Sequence, residues 1–384
     1  MTEITISPWQ VQGDLTSNVY THLINKFGVQ ALDTKLLDRF QKIIGQELHP
    51  LLRRGLCFAH RDFEAIMDDI EKNKPIFIYT GRGPSTESLH MGHIVPLDFT
   101  VWLQSVLPNA VVIIQMADDE KFWFKDMTFD EVYHLGRENS KDIIAMGFDP
   151  DRTFIFSNRD FGRNEGYQRM SSEIMKRINV GDIMSIFGLE KSANVGQLVW
   201  PIYQTTAAFS RAFDQIFRKQ NIRCLVTYAI DQDPYFRLAR DIAPKMNLYK
   251  PCALIFKFLP SLEGKSKMSS SGPSQKIFIN DKAQDVRKKI NKYAFSGGKD
   301  TIEEHRKFGG NTDVDISFQW LTYFMENDLE LARISDAYTR GELLSGQLKK
   351  LTIDVINHKI QIYQARREKI DEDLVKKFYD CTKF

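Results

Sequence analysis

The stretch IFIYTGRGPSTESLHMGH, residues 76–93, decides how the rest of the chain is read. Its first five residues form a short β-rich run, which predicts a strand over 76–80. The following residues, 81–93, have no hydrophobic period and instead gather glycines, a proline and two histidines. Gly81 and Gly83 allow backbone geometry closed to other residues and let a ligand come close. His90 and His93, spaced i, i+3, put both imidazoles on one face at the start of the next helix. A helix N-terminus favours an anion, the imidazoles add donors, and Gly92 leaves room for a flat base against the backbone. This implies a triphosphate cradle. Taken alone, the stretch also fits a Gly-rich turn carrying two surface histidines. A metal site would need a third ligand, and no nearby His or Cys supplies one.

Outward from this stretch, further β-rich runs follow in order: VVIIQMA (111–117), TFIFS (153–157), RCLVTYA (223–229) and CALIFKF (252–258). Helical patterns such as IVPLDFTVWLQSVL and FDEVYHLGRENSKDIIAMG lie between most of them. Strand and helix alternating at this spacing predict βαβ units and an α/β fold with a parallel sheet. Amphipathic segments crowd the interval 160–222, which predicts a helical insertion between strands. Residues 1–73 carry helical patterns in THLINKFG, DTKLLDRFQKIIGQ and LLRRGLCFAHRDFEAIMDDIEKNK, and are expected to form a folded N-terminal extension. Past GKSKMSSSGPSQ the β-runs stop, so a boundary is expected near residue 275, with a helical domain rich in Lys, Arg and Glu over 276–384. Polar clusters fall just beyond three predicted strand ends: TGRGPSTESLHMGH, ADDEKFWF and IDQDP. In an open parallel sheet that edge is where ligands bind.

Composition narrows the class. The 384 residues suffice for two or three domains and a sizeable core, and a formal net charge of +2 creates no global field toward nucleic acid or membrane. The cysteines, Cys57, Cys224, Cys252 and Cys381, lie far apart without CxxC spacing, against both structural zinc and a disulfide scaffold. No apolar stretch reaches the length of a membrane span, and MTEITISPWQ has no signal-peptide pattern. A cytoplasmic protein away from the membrane is the expectation.

A second phosphate candidate is KSKMSSS (265–271), which places Lys267 beside the hydroxyls of Ser269, Ser270 and Ser271 on a Gly-flanked loop. Alone, such a run is usually a solvated linker. Together, HMGH (90–93) and KMSSS (267–271) resemble the HIGH and KMSKS signatures of class I aminoacyl-tRNA synthetases. YTGRGPSTESLHMGH, QMADDEKF, AIDQDPYFR and AFSGGKDTIEEHRKFGGNTDVDISF are similar to the eukaryotic-type cytosolic tryptophanyl-tRNA synthetases, from about SPWQVQ to the C-terminal helices. Met91 stands where that signature has Ile, and KMSSS has a Ser where it has a second Lys. Tyr228, before AIDQD, is bulkier than the family pattern.

The resemblance implies a Rossmann-like catalytic domain over 74–275 and a C-terminal anticodon-binding domain over 276–384. It implies activation of L-tryptophan by ATP with Mg²⁺, then transfer to tRNA(Trp). The tryptophan carboxylate is ionised at pH 7, so attack on the α-phosphate needs no general base. On this reading His90, His93, Lys267, Ser269 and Ser270 stabilise the transferring phosphoryl group. Thr80, Gly81, Arg82, Gly83, Gly92, Lys121, Asp231 and Met268 complete the ATP site. An indole N–H is a donor only and needs an acceptor, a role that falls by resemblance to Tyr79 and Gln232. Glu120 suits the ammonium, Gln115 and Gln204 are neutral neighbours, and Phe236 walls the ring. The family further implies a homodimer, and the apolar residues of the helical insertion are expected to supply its interface. Arg287, Lys288, Lys289, Lys292 and Lys299 form one basic cluster suited to RNA phosphates, and Arg366, Arg367 and Lys369 another.

Three rivals remain open at this stage. A tyrosyl-tRNA synthetase shares the fold and both signatures but would need a different acceptor set around YTGRG and AIDQDPYF. Small nucleotidylyltransferases also use HxGH on a parallel sheet, though rarely with a helical domain of this size. A non-catalytic protein derived from a synthetase would not need HMGH and KMSSS intact.

Overall fold

The computed structural model describes residues 5–6, 11–12, 17–264, 267–268, 272 and 275–384. Its strands, in chain order, are β1 (Thr5–Ile6), β2 (Val11–Gln12), β3 (Gln30–Ala31), β4 (Cys57–Arg61), β5 (Ile76–Arg82), β6 (Ala110–Met116), β7 (Thr153–Ser157), β8 (Arg223–Ala229) and β9 (Cys252–Phe256). The first two form an antiparallel pair, and the other seven form one sheet in the order β3-β4-β9-β8-β5-β6-β7. The five strands expected from the apolar runs all form, and they pair in parallel.

The residues explain why these runs read as continuously apolar rather than alternating. Successive side chains of a strand point to opposite faces, and here both faces are covered. Ile76 and Ile78 of β5 enter one hydrophobic cluster, with Val112, Ile114, Ile155, Leu225 and Leu254. Phe77 and Tyr79 enter the other, with Ile113, Phe154, Phe156 and Val226. The first face is roofed by helix Met91–Val106 and by C-terminal helix Ser345–Arg367. The second is roofed by the helical insertion, through Tyr167, Phe187, Trp200 and Phe213, and by helix Asp233–Ile242.

One expectation fails in an informative way. The stretch 51–74 was expected to be helical throughout. Instead a short helix, Pro50–Arg53, ends at Gly55, which adopts φ +61°, and β4 follows before helix Phe63–Glu71. β4 pairs antiparallel with β9 and β3 pairs antiparallel with β4, so the N-terminal region completes the sheet. Every residue of β4 is buried, so no alternation marked it as a strand.

Strand order places the site. The chain runs outward from β5 through β6 to β7, then returns to β8 on the opposite side of β5. The connections therefore part at β5/β8, and a crevice opens there beyond the carboxyl ends of the strands.

Candidate active site

A cleft of about 520 Å³ occupies that crevice. Tyr79, Thr80, Gly81, Arg82 and Gly83 reach it from the end of β5, and His90, Gly92 and His93 from the helix that follows. Gln115, Glu120 and Lys121 come from the end of β6 and the helix after it. Asp231, Gln232 and Phe236 follow β8, Gln204 lies on the insertion, and Lys267 and Met268 come from the KMSSS segment. All predicted site residues within the described chain thus line one cleft. Ser269 and Ser270, with Ser271, lie outside the described residues, as does the SPWQ part of the aromatic N-terminal stretch.

His90 caps helix Met91–Val106. Its Nδ1 accepts from the Gly92 N–H at 3.2 Å, while the His93 Nδ1 accepts from the His90 N–H at 3.3 Å. The two rings stack, with centroids 3.5 Å apart. Burial, with the Arg82 guanidinium beside them, pushes both imidazoles well below their ordinary pKa. Both are therefore neutral at pH 7. With Nδ1 accepting in each ring, Nε2 carries the proton and is the donor. A Cβ at Gly92 would meet the His90 ring at 3.1 Å and Met268 at 3.2 Å, so the glycine also makes room for the chain's own side chains. A Cβ at Gly83 would fall 2.3 Å from Glu120 and 2.4 Å from Lys121, so this glycine makes room for that pair.

One end of the cleft is a chain of neutral hydrogen bonds. The Tyr79 hydroxyl donates to the Gln115 Oε1 at 2.5 Å, and the Gln115 amide donates to the Asn158 Oδ1 at 2.8 Å and to the Tyr167 oxygen at 3.2 Å. Because Tyr79 spends its proton on Gln115, its oxygen keeps a lone pair for an outside donor. Burial raises the Tyr79 phenol well above its ordinary pKa, so it stays protonated. Gln204 donates to the Gln232 Oε1 at 3.3 Å. Phe236 meets Tyr79 edge-on at 6.0 Å and stacks on Tyr228 at 4.6 Å.

Tyr228 has a clear place in this wall. Its hydroxyl donates to the buried Asp233 at 2.9 Å, and Arg61 of β4 donates to both oxygens of that carboxylate at 2.8 Å. Arg61 also holds the carbonyls of Phe27 and Gly28, at the end of helix Ser17–Phe27. Asp233 follows Gln232 directly, so this buried group fixes the turn carrying the pocket amide.

The other end is cationic. Among the described residues, Arg82, Lys121, Lys125, Lys257, Lys267 and Lys276 line the cleft, against only Glu120 and Asp231. Lys121 pairs with Glu120 at 2.8 Å and Lys267 with Asp231 at 2.6 Å. Burial lowers Arg82 to about 10, still charged at pH 7. Burial and mutual repulsion also lower Lys125 and Lys276. Such an excess of positive charge recruits a polyanion. Among the described residues no group of three His, Cys, Asp or Glu is placed to hold a metal.

Sequence reasoning missed Asn158, Tyr167, Arg61, Asp233, Lys125 and Lys276. Asn158 was within reach, because it follows β7 at the same carboxyl edge. The basic clusters divide. Arg287, Lys288, Lys292 and Lys299 are exposed, while Lys289 binds Asp281 at 2.6 Å. Arg366 and Arg367, expected to face RNA, face the α/β body: Arg366 donates to the Met146 carbonyl and Arg367 to Asp142 and Glu138.

Comparison with known proteins bears on this arrangement. Residues 71–361 match the family model described as tRNA synthetases class I (W and Y). The chain is 46% identical over 377 residues to the cytoplasmic tryptophan–tRNA ligase of Homo sapiens, covering 97% of this chain and 80% of that protein. It is 41% identical to the Arabidopsis thaliana counterpart, covering 98% and 94%. Among solved structures it is similar to the tryptophanyl-tRNA synthetase of Giardia lamblia, with a TM-score of 0.89, 40% identity and 94% and 96% of the two chains covered. It is also similar to that of Encephalitozoon cuniculi bound to tryptophan, with a TM-score of 0.88, 38% identity and 96% and 100% covered. With the family model matched over most of its length, and with relatives this similar from end to end, the chain belongs to the class I tRNA synthetases of the tryptophan and tyrosine group.

Proposed function

We infer that this chain is a tryptophan–tRNA ligase, working in the cytoplasm like its relatives. It activates L-tryptophan with ATP and transfers the tryptophanyl group to tRNA(Trp). The observation that carries the reading is the cleft itself, in which neutral acceptors beside an aromatic wall adjoin an excess of cations. A ligand with an indole at one end and a triphosphate at the other fits that division.

The residue roles are our proposal. The Tyr79 oxygen and the Gln232 amide oxygen accept the indole N–H, with Phe236 against the ring. A pocket built around that bond disfavours rings without the donor, because its acceptor would be left buried and unpaired. Glu120 takes the ammonium, and Gln115 and Gln204 hold the surrounding amides in place. The tryptophan carboxylate then attacks the α-phosphorus, a bond forms to its oxygen, and the bond to the leaving pyrophosphate breaks. His90 and His93 supply Nε2–H donors, and Lys267, Lys121 and Arg82 supply charge where it builds on the phosphates. Ser269 and Ser270 are the further proposed hydroxyl donors of the KMSSS segment. Asp231 accepts from a ribose hydroxyl, and Thr80, Gly81, Gly83, Gly92 and Met268 shape the nucleotide bed. Magnesium enters as part of the nucleotide substrate, bound through phosphate oxygens.

The helices of 276–384 are the proposed tRNA-reading part, with Arg287, Lys288, Lys292 and Lys299 as exposed phosphate contacts. A second copy is proposed to dock on the helical insertion, where Met175, Val180 and Val195 stand exposed. No helix among the described residues is long and apolar enough to cross a membrane.

ATP–pyrophosphate exchange across all twenty amino acids tests the reading. Exchange with tryptophan alone is the expected result. Exchange with tyrosine instead would keep the cationic end and overturn the roles of Tyr79 and Gln232.

A further inference from the structure

The HMGH segment is bridged to the chain that follows the KMSSS segment. The Met91 N–H donates to the Ile277 carbonyl and the Ile279 N–H to the Leu89 carbonyl, both at 2.9 Å, so 89–91 and 277–279 form an antiparallel bridge around His90 and Phe278. This bridge sets where His90 stands relative to residues 277–279, downstream of KMSSS in sequence. The 277–279 side of the bridge belongs to no long element, so something else must hold it against the sheet.

C-terminal helix Ser345–Arg367 holds both sides of it. Gln364 donates its amide to the Ile279 carbonyl at 2.8 Å and to the Asp281 carbonyl at 3.0 Å. Arg367, three residues on and on the same face, donates to one oxygen of the buried Asp142 at 2.7 Å. The other Asp142 oxygen accepts from the Ser88 hydroxyl at 2.9 Å and from the Leu89 N–H at 3.0 Å. One and two turns before Arg367, Tyr363 and Lys359 each donate to Asp98 at 2.8 Å, on the helix that His90 caps. A single helix face therefore grips the nucleotide end of the cleft at three points, and at the bridge the contacts reach backbone groups adjacent to His90.

We propose that Arg367 and Gln364 are positioning residues for adenylate formation. Arg367 acts through Asp142 to set the backbone entering His90, and Gln364 sets the 277–279 strand against it. Neither reaches the tryptophan pocket, whose bonds run through Tyr79, Gln115 and Gln232 instead. The proposal rests on the reading of His90 as part of the ATP site. It makes a helix of the proposed tRNA-reading part a structural component of the first reaction step, before any tRNA is bound.

The test is tRNA-free ATP–pyrophosphate exchange by the full chain, comparing wild type with Arg367→Ala, Arg367→Lys and Gln364→Ala. Loss of alignment at a reacting phosphate costs a large factor, so Arg367→Ala is expected to lower kcat roughly ten- to hundredfold. KM for tryptophan should stay within about twofold of wild type. Gln364→Ala, which removes one uncharged group and is the milder change, should lower kcat about fivefold with the same unchanged tryptophan KM. Guanidinium ion added to Arg367→Ala should restore part of the lost rate, and Arg367→Lys should fall between. Wild-type kcat in both alanine variants would overturn the proposal. So would a rise in tryptophan KM matching the fall in kcat, or a lower unfolding midpoint with no guanidinium rescue, since both mark a merely structural contact. Absence of tryptophan-dependent exchange in the wild type would instead remove the functional reading beneath it.

Discussion

At the tryptophan end of the cleft, polar groups satisfy one another through uncharged bonds, Tyr79 to Gln115 to Asn158 and Gln204 to Gln232. At the phosphate end, charge meets charge, Lys121 on Glu120 and Lys267 on Asp231, with further cations around them. The first network is held before any ligand arrives, because the Tyr79 hydroxyl and the Gln115 and Gln204 amides already donate to acceptors within the protein. The second must exchange partners, since a phosphate that takes Lys267 competes with Asp231. On the proposed roles, selection of the amino acid is built as geometry, and stabilisation of the reacting group as redistributable charge.

Changes at either end should break or sharpen this contrast. Lys267→Ala removes a cation aimed at the reacting phosphates and should lower the exchange kcat roughly 100- to 1000-fold, leaving tryptophan KM nearly unchanged. A parallel rise in tryptophan KM would mean that the two ends are not separable. Tyr79→Phe should act in the opposite sense, raising tryptophan KM about tenfold with kcat close to wild type, measured in the same assay. Tyr228→Phe keeps the ring stacked on Phe236 and removes one donor from Asp233, which Arg61 still holds. The expected effect is about threefold on tryptophan KM and a fall of about 2 °C in the unfolding midpoint, read by calorimetry. The smallest effect is a null one. Because His90 and His93 are depressed below the ordinary imidazole value near 6.5, they stay neutral as pH falls through it. The exchange rate should therefore show no histidine inflection between about pH 8 and pH 6. An inflection near 6.5 that disappears in His93→Asn would show that a charged imidazole is at work.

The sequence announced some of this and hid the rest, for physical reasons. β5 to β9 were legible because strands buried on both faces must be apolar along their whole length. β4 is buried just as fully, yet CFAHR contains a histidine and an arginine and runs straight into a helix. Its polar residues are explained only by partners far away in sequence, such as Asp233 for Arg61. The site was legible where ligand chemistry dictates local pattern, as in HMGH and IDQD. It was not legible where a bond joins distant elements. Nothing near Arg367 announces Asp142, and a run of basic residues on a helix reads the same whether it faces RNA or a buried carboxylate.

The placement of β4 also bears on how the chain is made. Its sheet neighbour β9 begins at Cys252, far downstream of Arg61. At about 5–20 residues per second, a ribosome needs roughly 10–40 s to cover that distance. During that interval β5, β6 and β7 can pair with each other and then with β8, while β4 has only the two-residue β3 beside it. The segment translated first is therefore among the last to enter the sheet. Arg61 reaches Asp233 only once it does, so the wall of the tryptophan pocket closes at the end of assembly, and a nascent chain stopped before Cys252 carries an unpaired strand edge.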